Sequence, residues 1–135
     1  MDTSNPKKTV YNKTVLIVED ETAMQNALFD KFTMEGFFVV TAKNGVDGLE
    51  QATREIPDLI LLDIIMPIMD GMTLLKEIRA RAPLSTVPII LLSNLNPNDE
   101  VLYTVNMLQP TYYMIKSETK LEVLIKKVKE ILKLS

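Results

Sequence analysis

The stretch LILLDIIMPIMDG, residues 59–71, joins an uninterrupted apolar run to an aspartate and then to a segment rich in turn-forming residues. The run of four apolar residues is too short for a buried helix and shows no polar alternation. Runs of this kind are typical of strands covered on both faces in a parallel sheet. The stretch therefore predicts a buried strand that ends at Asp63, followed by a loop and a helix that begins at Gly71.

The same pattern repeats along the chain. Short apolar runs occur at residues 15–18, 37–40, 89–92 and 112–115. Apolar residues at helical spacing predict helices over 22–35, 45–55, 71–81, 98–108 and 121–132. Of these, the helix over 98–108 has few apolar positions and weak caps. Strands that alternate with helices predict an α/β fold, an open, doubly wound parallel sheet with five strands and five helices.

The start of the last predicted helix carries its own signal. Thr119 and Glu122 have the spacing of a capping box, in which the two side chains satisfy backbone N–H groups reciprocally. The sequence thus predicts that Thr119 caps this helix.

Composition narrows the chemistry that the chain can perform. In 135 residues there are 15 Lys+Arg against 18 Asp+Glu, so the net charge of −3 does not indicate a nucleic-acid partner. The absence of cysteine and histidine excludes disulfides, thiolate nucleophiles, imidazole bases and the usual zinc ligands. Any bound metal must be held by oxygen atoms, which favours Mg²⁺ or Mn²⁺.

The termini and hydropathy complete the domain assignment. Residues 1–12 are polar and lack periodicity, so we expect a flexible leader followed by one domain over 13–135. No apolar stretch approaches the length of about 18 residues that a membrane span requires. We therefore expect a cytoplasmic protein without a membrane partner.

Polar residues follow four of the predicted strands. They are Glu19 and Asp20 after the first, Asp63 after the third, Ser93 after the fourth and Lys116 after the fifth. In open α/β sheets, ligands bind beyond the carboxyl ends of the strands, where the strand order reverses. If that order is 2-1-3-4-5, the carboxylates meet and need a cation, while the hydroxyl and the lysine suit a phosphoryl group. Taken singly, each residue has a simpler reading as a helix cap, a turn residue or a solvated side chain.

Four motifs together resemble the receiver domain of bacterial two-component response regulators. These are VLIVEDE at 15–21, DIIMPIMDG at 63–71, LLS at 91–93 and YMIK at 113–116, within a match over about 14–134. The resemblance implies a flavodoxin-like sheet of order 2-1-3-4-5. It implies that Asp63 is the phosphoacceptor and that Mg²⁺ is held by Glu19, Asp20, Asp63 and the backbone carbonyl of Ile65.

The resemblance also implies a switch and a set of partners. Ser93 occupies the position of the switch hydroxyl, Lys116 that of the phosphoryl-binding lysine, and Tyr113 that of the aromatic side chain that turns inward on activation. The implied phosphodonor is a sensor histidine kinase or a histidine phosphotransfer protein. The implied output is a downstream protein or a homodimer, bound through the face from the fourth to the fifth helix.

The chain departs from the family pattern at three places. Ser117 follows the lysine where proline is usual, Asn94 follows the switch hydroxyl where alanine or glycine is usual, and Gln109-Pro110 replaces a common Gly-Ala.

Three other functions remain to be weighed. A haloacid-dehalogenase-like phosphatase needs a second aspartate two positions after the nucleophile, where this chain has Ile65. A flavin-binding protein needs a phosphate-binding loop after the first strand, and none is present. A pseudo-receiver, which acts by interaction without phosphorylation, typically lacks the acceptor or the lysine, and this chain has both.

Overall fold

The computed structural model of the protein describes residues 11–64, 66, 68–94 and 112–134. Within them, one parallel sheet has the strand order β2-β1-β3-β4-β5, as expected. Its strands are β1 (Thr14–Val18), β2 (Phe38–Ala42), β3 (Leu59–Leu62), β4 (Ile89–Ser93) and β5 (Tyr112–Ile115). The helices are α1 (Thr22–Met34), α2 (Gly45–Glu55), α3 (Gly71–Arg79) and α4 (Leu121–Ile131).

Alternate residues of the central strands build two separate apolar layers. On one side, Leu16 and Leu62 belong to a cluster with Ala52 of α2 and Leu74 of α3. On the other side, Ile17 and Leu61 of the same strands join a cluster with residues of α1 and α4, namely Leu28, Phe32, Leu124 and Val128. Because side chains alternate along a strand, a continuous apolar run feeds both layers and produces the doubly wound architecture.

The two edge strands differ from the expectation of complete burial. Phe38 in β2 is 50% exposed and Tyr112 in β5 is 40% exposed, whereas all residues of β3 and β4 are buried. The physical reason is position, since an edge strand has a neighbouring strand on one side only. An apolar run in the sequence does not reveal which strands are central.

Helix boundaries follow the local signals with small shifts. Asn44 caps α2 by accepting a hydrogen bond from the N–H of Asp47, and Asp70 caps α3 by accepting from Thr73, both at 2.8 Å. Ile56 adopts a left-handed φ of 45° just after α2, ahead of Pro57. The helix α1 ends one residue before the predicted limit and α3 ends two residues before it, while β2 is shifted to 38–42.

The capping box predicted at α4 is wrong. The N-cap residue is Lys120, and no side chain caps the helix. The hydroxyl of Thr119 instead donates to the carbonyl of Ile115 at 2.8 Å. A 3₁₀ turn at Lys116–Glu118 separates β5 from the helix. The helix then begins one residue later than the box requires, so Thr119 lies before the N-cap and not at it.

The fourth helix expected from the sequence, over 98–108, lies outside the described residues. The helix α4 therefore corresponds to the fifth expected helix. Tyr11, at the end of the expected leader, packs its ring against Phe37 with a centroid separation of 5.1 Å. No helix within the described ranges is both long enough and apolar enough to cross a membrane.

Gly71 places the start of α3 directly against the backbone of Asp63. Its N–H donates to the carbonyl of Ile64 at 2.8 Å. A Cβ at this position would overlap the carbonyl oxygen of Asp63 and would lie 2.7 Å from the Cα of Ile64. Only glycine allows the helix to approach the end of β3 this closely.

We expect Gly71→Ala to lower the free energy of unfolding by about 3 kcal/mol, because rigid backbone must move to admit the methyl group. The matched control is Gly48→Ala, whose Cβ would meet side-chain atoms and no backbone, 2.9 Å from Leu74 Cδ2 and 3.1 Å from Val18 Cγ1. In a helix interior, alanine is more favourable than glycine by about 1 kcal/mol. This gain offsets the cost of moving the neighbouring side chains, so the free energy of unfolding of the control should stay within about 1 kcal/mol of that of the parent. Urea unfolding measures both, and equal stability of the two variants would contradict the prediction.

Candidate functional site

A cleft of about 200 Å³ opens at the carboxyl ends of the strands. It is lined by Glu19, Asp20, Glu21, Asp63, Ser93, Asn94 and Lys116. Five of the residues predicted from the sequence, Glu19, Asp20, Asp63, Ser93 and Lys116, therefore line one site. The cleft lies where the strand order reverses, between β1 and β3.

Backbone pairing positions the acidic residues just beyond the strands. The N–H of Glu19 donates to the carbonyl of Ala42 at 3.0 Å, and the N–H of Asp63 donates to that of Val18 at 3.1 Å. The parallel ladder thus continues one residue past β1 and β3. The backbone of Glu19 and Asp63, from which the two carboxylates extend, is therefore held by the sheet.

Gln25 is a structural part of the site that the sequence interpretation missed. This buried side chain on α1 donates from Nε2 to the carbonyls of Glu19 at 2.9 Å and Ala42 at 3.0 Å. It joins the carboxyl ends of β1 and β2 to the first helix. A signal was available, because Gln25 is spaced three residues before Leu28 and seven before Phe32, on the apolar face of α1.

The three carboxylates are crowded together. Oxygen atoms of Glu19, Asp20 and Asp63 lie within 4.8 Å of one another. Glu19 is 3% exposed and Asp63 is 7% exposed, whereas Asp20 is open to solvent. This donor set consists of hard oxygen ligands with one side open to water, and it fits a partly hydrated Mg²⁺.

Lys116 provides the positive charge within this cluster. Its Nζ lies 2.7 Å from Oε1 of Glu19 and 3.3 Å from Oδ2 of Asp63. The ammonium therefore bridges the two buried carboxylates and lies nearer to the glutamate. A metal ion that binds Glu19 must compete with this contact.

Burial, hydrogen bonds and neighbouring charges shift the pKa values of three groups. Burial raises the pKa of Glu19, an effect that hydrogen bonds from Lys116 and from the N–H of Glu21 oppose. Burial acts to lower the pKa of Lys116, but the hydrogen bond to Glu19 and the charge of Asp63 outweigh it and the pKa is raised. Burial, and then the charge of Asp63, raise the pKa of Tyr113, so its phenol is neutral at pH 7.

Tyr113 and Ile65 are the predicted residues that are not among those lining the cleft, whereas Ser93 is one of its lining residues. Tyr113 is partly buried in β5 and packs against the apolar layer beside α2 and α3. Ser93 is 1% exposed at the end of β4. Ile65, whose backbone carbonyl is the further expected metal ligand, is outside the described residues.

Comparison with known proteins agrees with this geometry. The family model for the response regulator receiver domain matches residues 15–129. The chain therefore belongs to the receiver domain family of two-component response regulators.

Individual relatives match about 60% of the chain. A protein-glutamate methylesterase/protein-glutamine glutaminase of Archaeoglobus fulgidus is 45% identical over 82 residues, which are 60% of this chain and 23% of that protein. The response regulator PleD of Caulobacter vibrioides is 37% identical over 82 residues, 61% of this chain and 18% of PleD. The chain thus spans less than a quarter of the length of these two relatives.

A solved structure extends the likeness to nearly the whole fold. The CheY-like receiver domain protein of Methanospirillum hungatei superposes with a TM-score of 0.83 at 27% identity. The alignment covers 90% of this chain and 94% of that one.

We expect Lys116→Met to destabilise the metal-free protein by about 2 kcal/mol, because Glu19 and Asp63 lose their counter-charge. The same variant should bind Mg²⁺ more tightly than the parent, since no ammonium competes for Glu19, and saturating Mg²⁺ should restore much of the lost stability. Urea unfolding in EDTA and in Mg²⁺ measures both effects. Lys126→Met, on the exposed side of α4, is the matched control. Unchanged stability of Lys116→Met in EDTA would show that the ion pairs contribute little.

Proposed function

We propose that this receiver domain, residues 13–135, accepts a phosphoryl group on Asp63 and thereby signals to a partner protein. The observation that carries the proposal is the cluster of three carboxylates with oxygens within 4.8 Å, in which Lys116 contacts the proposed acceptor. Glu19, Asp20 and Asp63 would hold Mg²⁺, with the carbonyl of Ile65 as a further ligand by family resemblance. A bound Mg²⁺ supplies charge neutralisation for the oxygens of the incoming phosphoryl group.

In the proposed transfer, one carboxylate oxygen of Asp63 forms a bond to phosphorus while the bond from phosphorus to the donor breaks. The leaving group departs with the electron pair, either as the imidazole of a phosphohistidine or as the carboxylate of an acyl phosphate. Lys116 stabilises the charge on the phosphoryl oxygens, and its raised pKa keeps it protonated. Most of the rate enhancement would come from positioning and electrostatics.

Ser93 and Tyr113 are the proposed switch. The Ser93 hydroxyl, at the end of β4 beside the acceptor, would donate to a phosphoryl oxygen and draw its loop toward the cleft. Tyr113 is partly buried beside this region and would fill the space that the loop leaves. The result is a shift between two conformations, the usual way in which a local charge change reaches a distant surface.

The partners follow from the chemistry. The chain has no histidine, so a phosphohistidine donor must be a separate group, on a sensor histidine kinase or a histidine phosphotransfer protein. The protein acts as a signalling domain that catalyses its own modification, not as an enzyme with turnover on other substrates. The presence of both Asp63 and Lys116 supports this function over a phosphorylation-independent interaction module.

We expect acetyl phosphate with Mg²⁺ to add one phosphoryl group to the parent and none to Asp63→Asn, because the amide cannot act as the nucleophile. Asp20→Ala should lose both Mg²⁺ binding and labelling. Intact-mass spectrometry and Mg²⁺ titration measure these results. Asp30→Asn, an exposed residue on α1, is the control for the loss of one carboxylate. Labelling of Asp63→Asn at the parental level would refute the acceptor assignment.

The output surface is the second part of the proposal. From Lys116 onward there are six lysines against three glutamates, a local charge of +3 in a chain of net charge −3. On this side, Lys127 Nζ lies 4.3 Å from the ring centroid of the exposed Tyr112. Tyr103 and Met107, which the sequence also assigns to this surface, lie outside the described residues.

We expect beryllofluoride with Mg²⁺ to change amide chemical shifts across residues 95–131 more than across α2, because that range contains the segment that links Ser93 to Tyr113. Two-dimensional NMR on the parent and on Asp63→Asn measures the change, with the variant as the control for non-specific binding. Shifts confined to the cleft would contradict this output surface.

A further inference from the structure

A hydrogen bond joins the residue after Ser93, at the end of β4, to the 3₁₀ turn that contains Lys116. The side-chain Oδ1 of Asn94 accepts from the backbone N–H of Ser117 at 2.8 Å. Each partner immediately follows a residue of the proposed site. The ladder between β4 and β5 ends at the pair Ser93–Ile115, so this bond continues the contact beyond the last paired residues.

Both partners of the bond are departures from the family pattern. Proline, usual at the position of Ser117, has no N–H to donate. Alanine or glycine, usual at the position of Asn94, has no side-chain acceptor. The bond needs both departures, because one supplies the acceptor and the other the donor. A single contact thus accounts for Asn94 and Ser117 together, although they are 23 residues apart.

We propose that Asn94 is a positioning residue that holds the turn carrying Lys116 against the end of β4, and so keeps the Lys116 ammonium in place for phosphoryl transfer. This inference rests on the proposed function. Asn94 does not contact the phosphoryl group in this role. It acts through the backbone at Ser117 and through the lysine next to it.

The need for such a restraint follows from the place of Lys116 in the fold. The lysine follows β5, an edge strand whose residues are exposed or only partly buried. The backbone bond that closes the turn at Lys116–Glu118, from the N–H of Thr119 to the carbonyl of Lys116, is long at 3.4 Å. The Thr119 hydroxyl adds a bond to the carbonyl of Ile115 at 2.8 Å, but neither bond ties the turn to β4. A lysine side chain is flexible, so its backbone must be fixed if Nζ is to stay 3.3 Å from Asp63.

The bond also couples the end of β4 mechanically to the turn that contains Lys116. A movement of Ser93 toward a phosphoryl group would carry Asn94 with it, and Asn94 would pull on the turn that follows Lys116. The hydroxyl and the ammonium would then approach the phosphoryl group together. A chain with proline and alanine at these positions lacks this link.

The test is a double-mutant cycle on the rate of phosphorylation by acetyl phosphate in saturating Mg²⁺. Asn94→Ala removes the acceptor, and Ser117→Pro removes the donor. We measure the proline effect relative to Ser117→Ala, which keeps the N–H. Each loss should slow labelling about 3- to 10-fold, the range expected for one hydrogen bond. The double variant should be no slower than either single variant, because both remove the same bond.

A second measurement separates positioning from stability. Amide hydrogen exchange at Ser117, in metal-free protein without a phosphodonor, should be about 3- to 10-fold faster in Asn94→Ala. The melting temperature should stay near that of the parent, because both residues are exposed. Asn26→Ala, an exposed asparagine on α1, should match the parent in rate and in exchange.

The outcomes distinguish the two proposals. A parent that takes no label overturns the proposed function and with it this inference. If the parent is labelled and Asn94→Ala is labelled at the same rate, only the inference is overturned. Single effects that multiply in the double variant would also overturn it, because they would show that the two residues act separately.

Discussion

The interaction on which the site depends is the crowding of acidic side chains at the carboxyl ends of β1 and β3. Glu19 and Asp63 are almost fully buried, and Lys116 reaches both from the end of β5. Buried like charges destabilise a fold unless an opposite charge compensates them. The lysine provides that charge within the chain. The lysine is nearer to Glu19 than to Asp63. Because it is already paired with both carboxylates, a metal ion or a phosphoryl group that binds there would change these ion pairs.

The rest of the fold keeps these charges in place. Gly71 lets α3 approach the backbone of Asp63, and Gln25 joins the carbonyl of Glu19 to that of Ala42. The acidic half of the site therefore stands on central strands with buried support. The lysine stands on an edge strand, where burial is incomplete and where the bond between Asn94 and Ser117 adds a local restraint. This asymmetry suits the proposed function, in which the domain would hold a metal ion rigidly and also change conformation.

Much of the fold and the site was predictable because the signals are local. The run 59–62 appeared as β3 with its predicted bounds, and the helix over 45–55 appeared as α2, capped by Asn44 and ended by the left-handed Ile56 before Pro57. The polar residues after the strands meet in one cleft because parallel strands place their carboxyl ends at one edge. The capping box at Thr119 failed because the helix begins one residue later than the box requires, with Lys120 at the N-cap.

The sequence by itself determined the alternation of strands and helices within the described residues and the identity of most candidate site residues. These follow from periodicity, turn-forming residues and motifs, which are properties of short segments. Only the tertiary structure decided that Lys116 bridges Glu19 and Asp63, that Gln25 supports the end of β1, and that Asn94 and Ser117 are bonded. Each of these contacts joins different strands, helices or loops, some from distant parts of the chain. Its geometry depends on how the sheet and helices pack, which local sequence patterns do not specify.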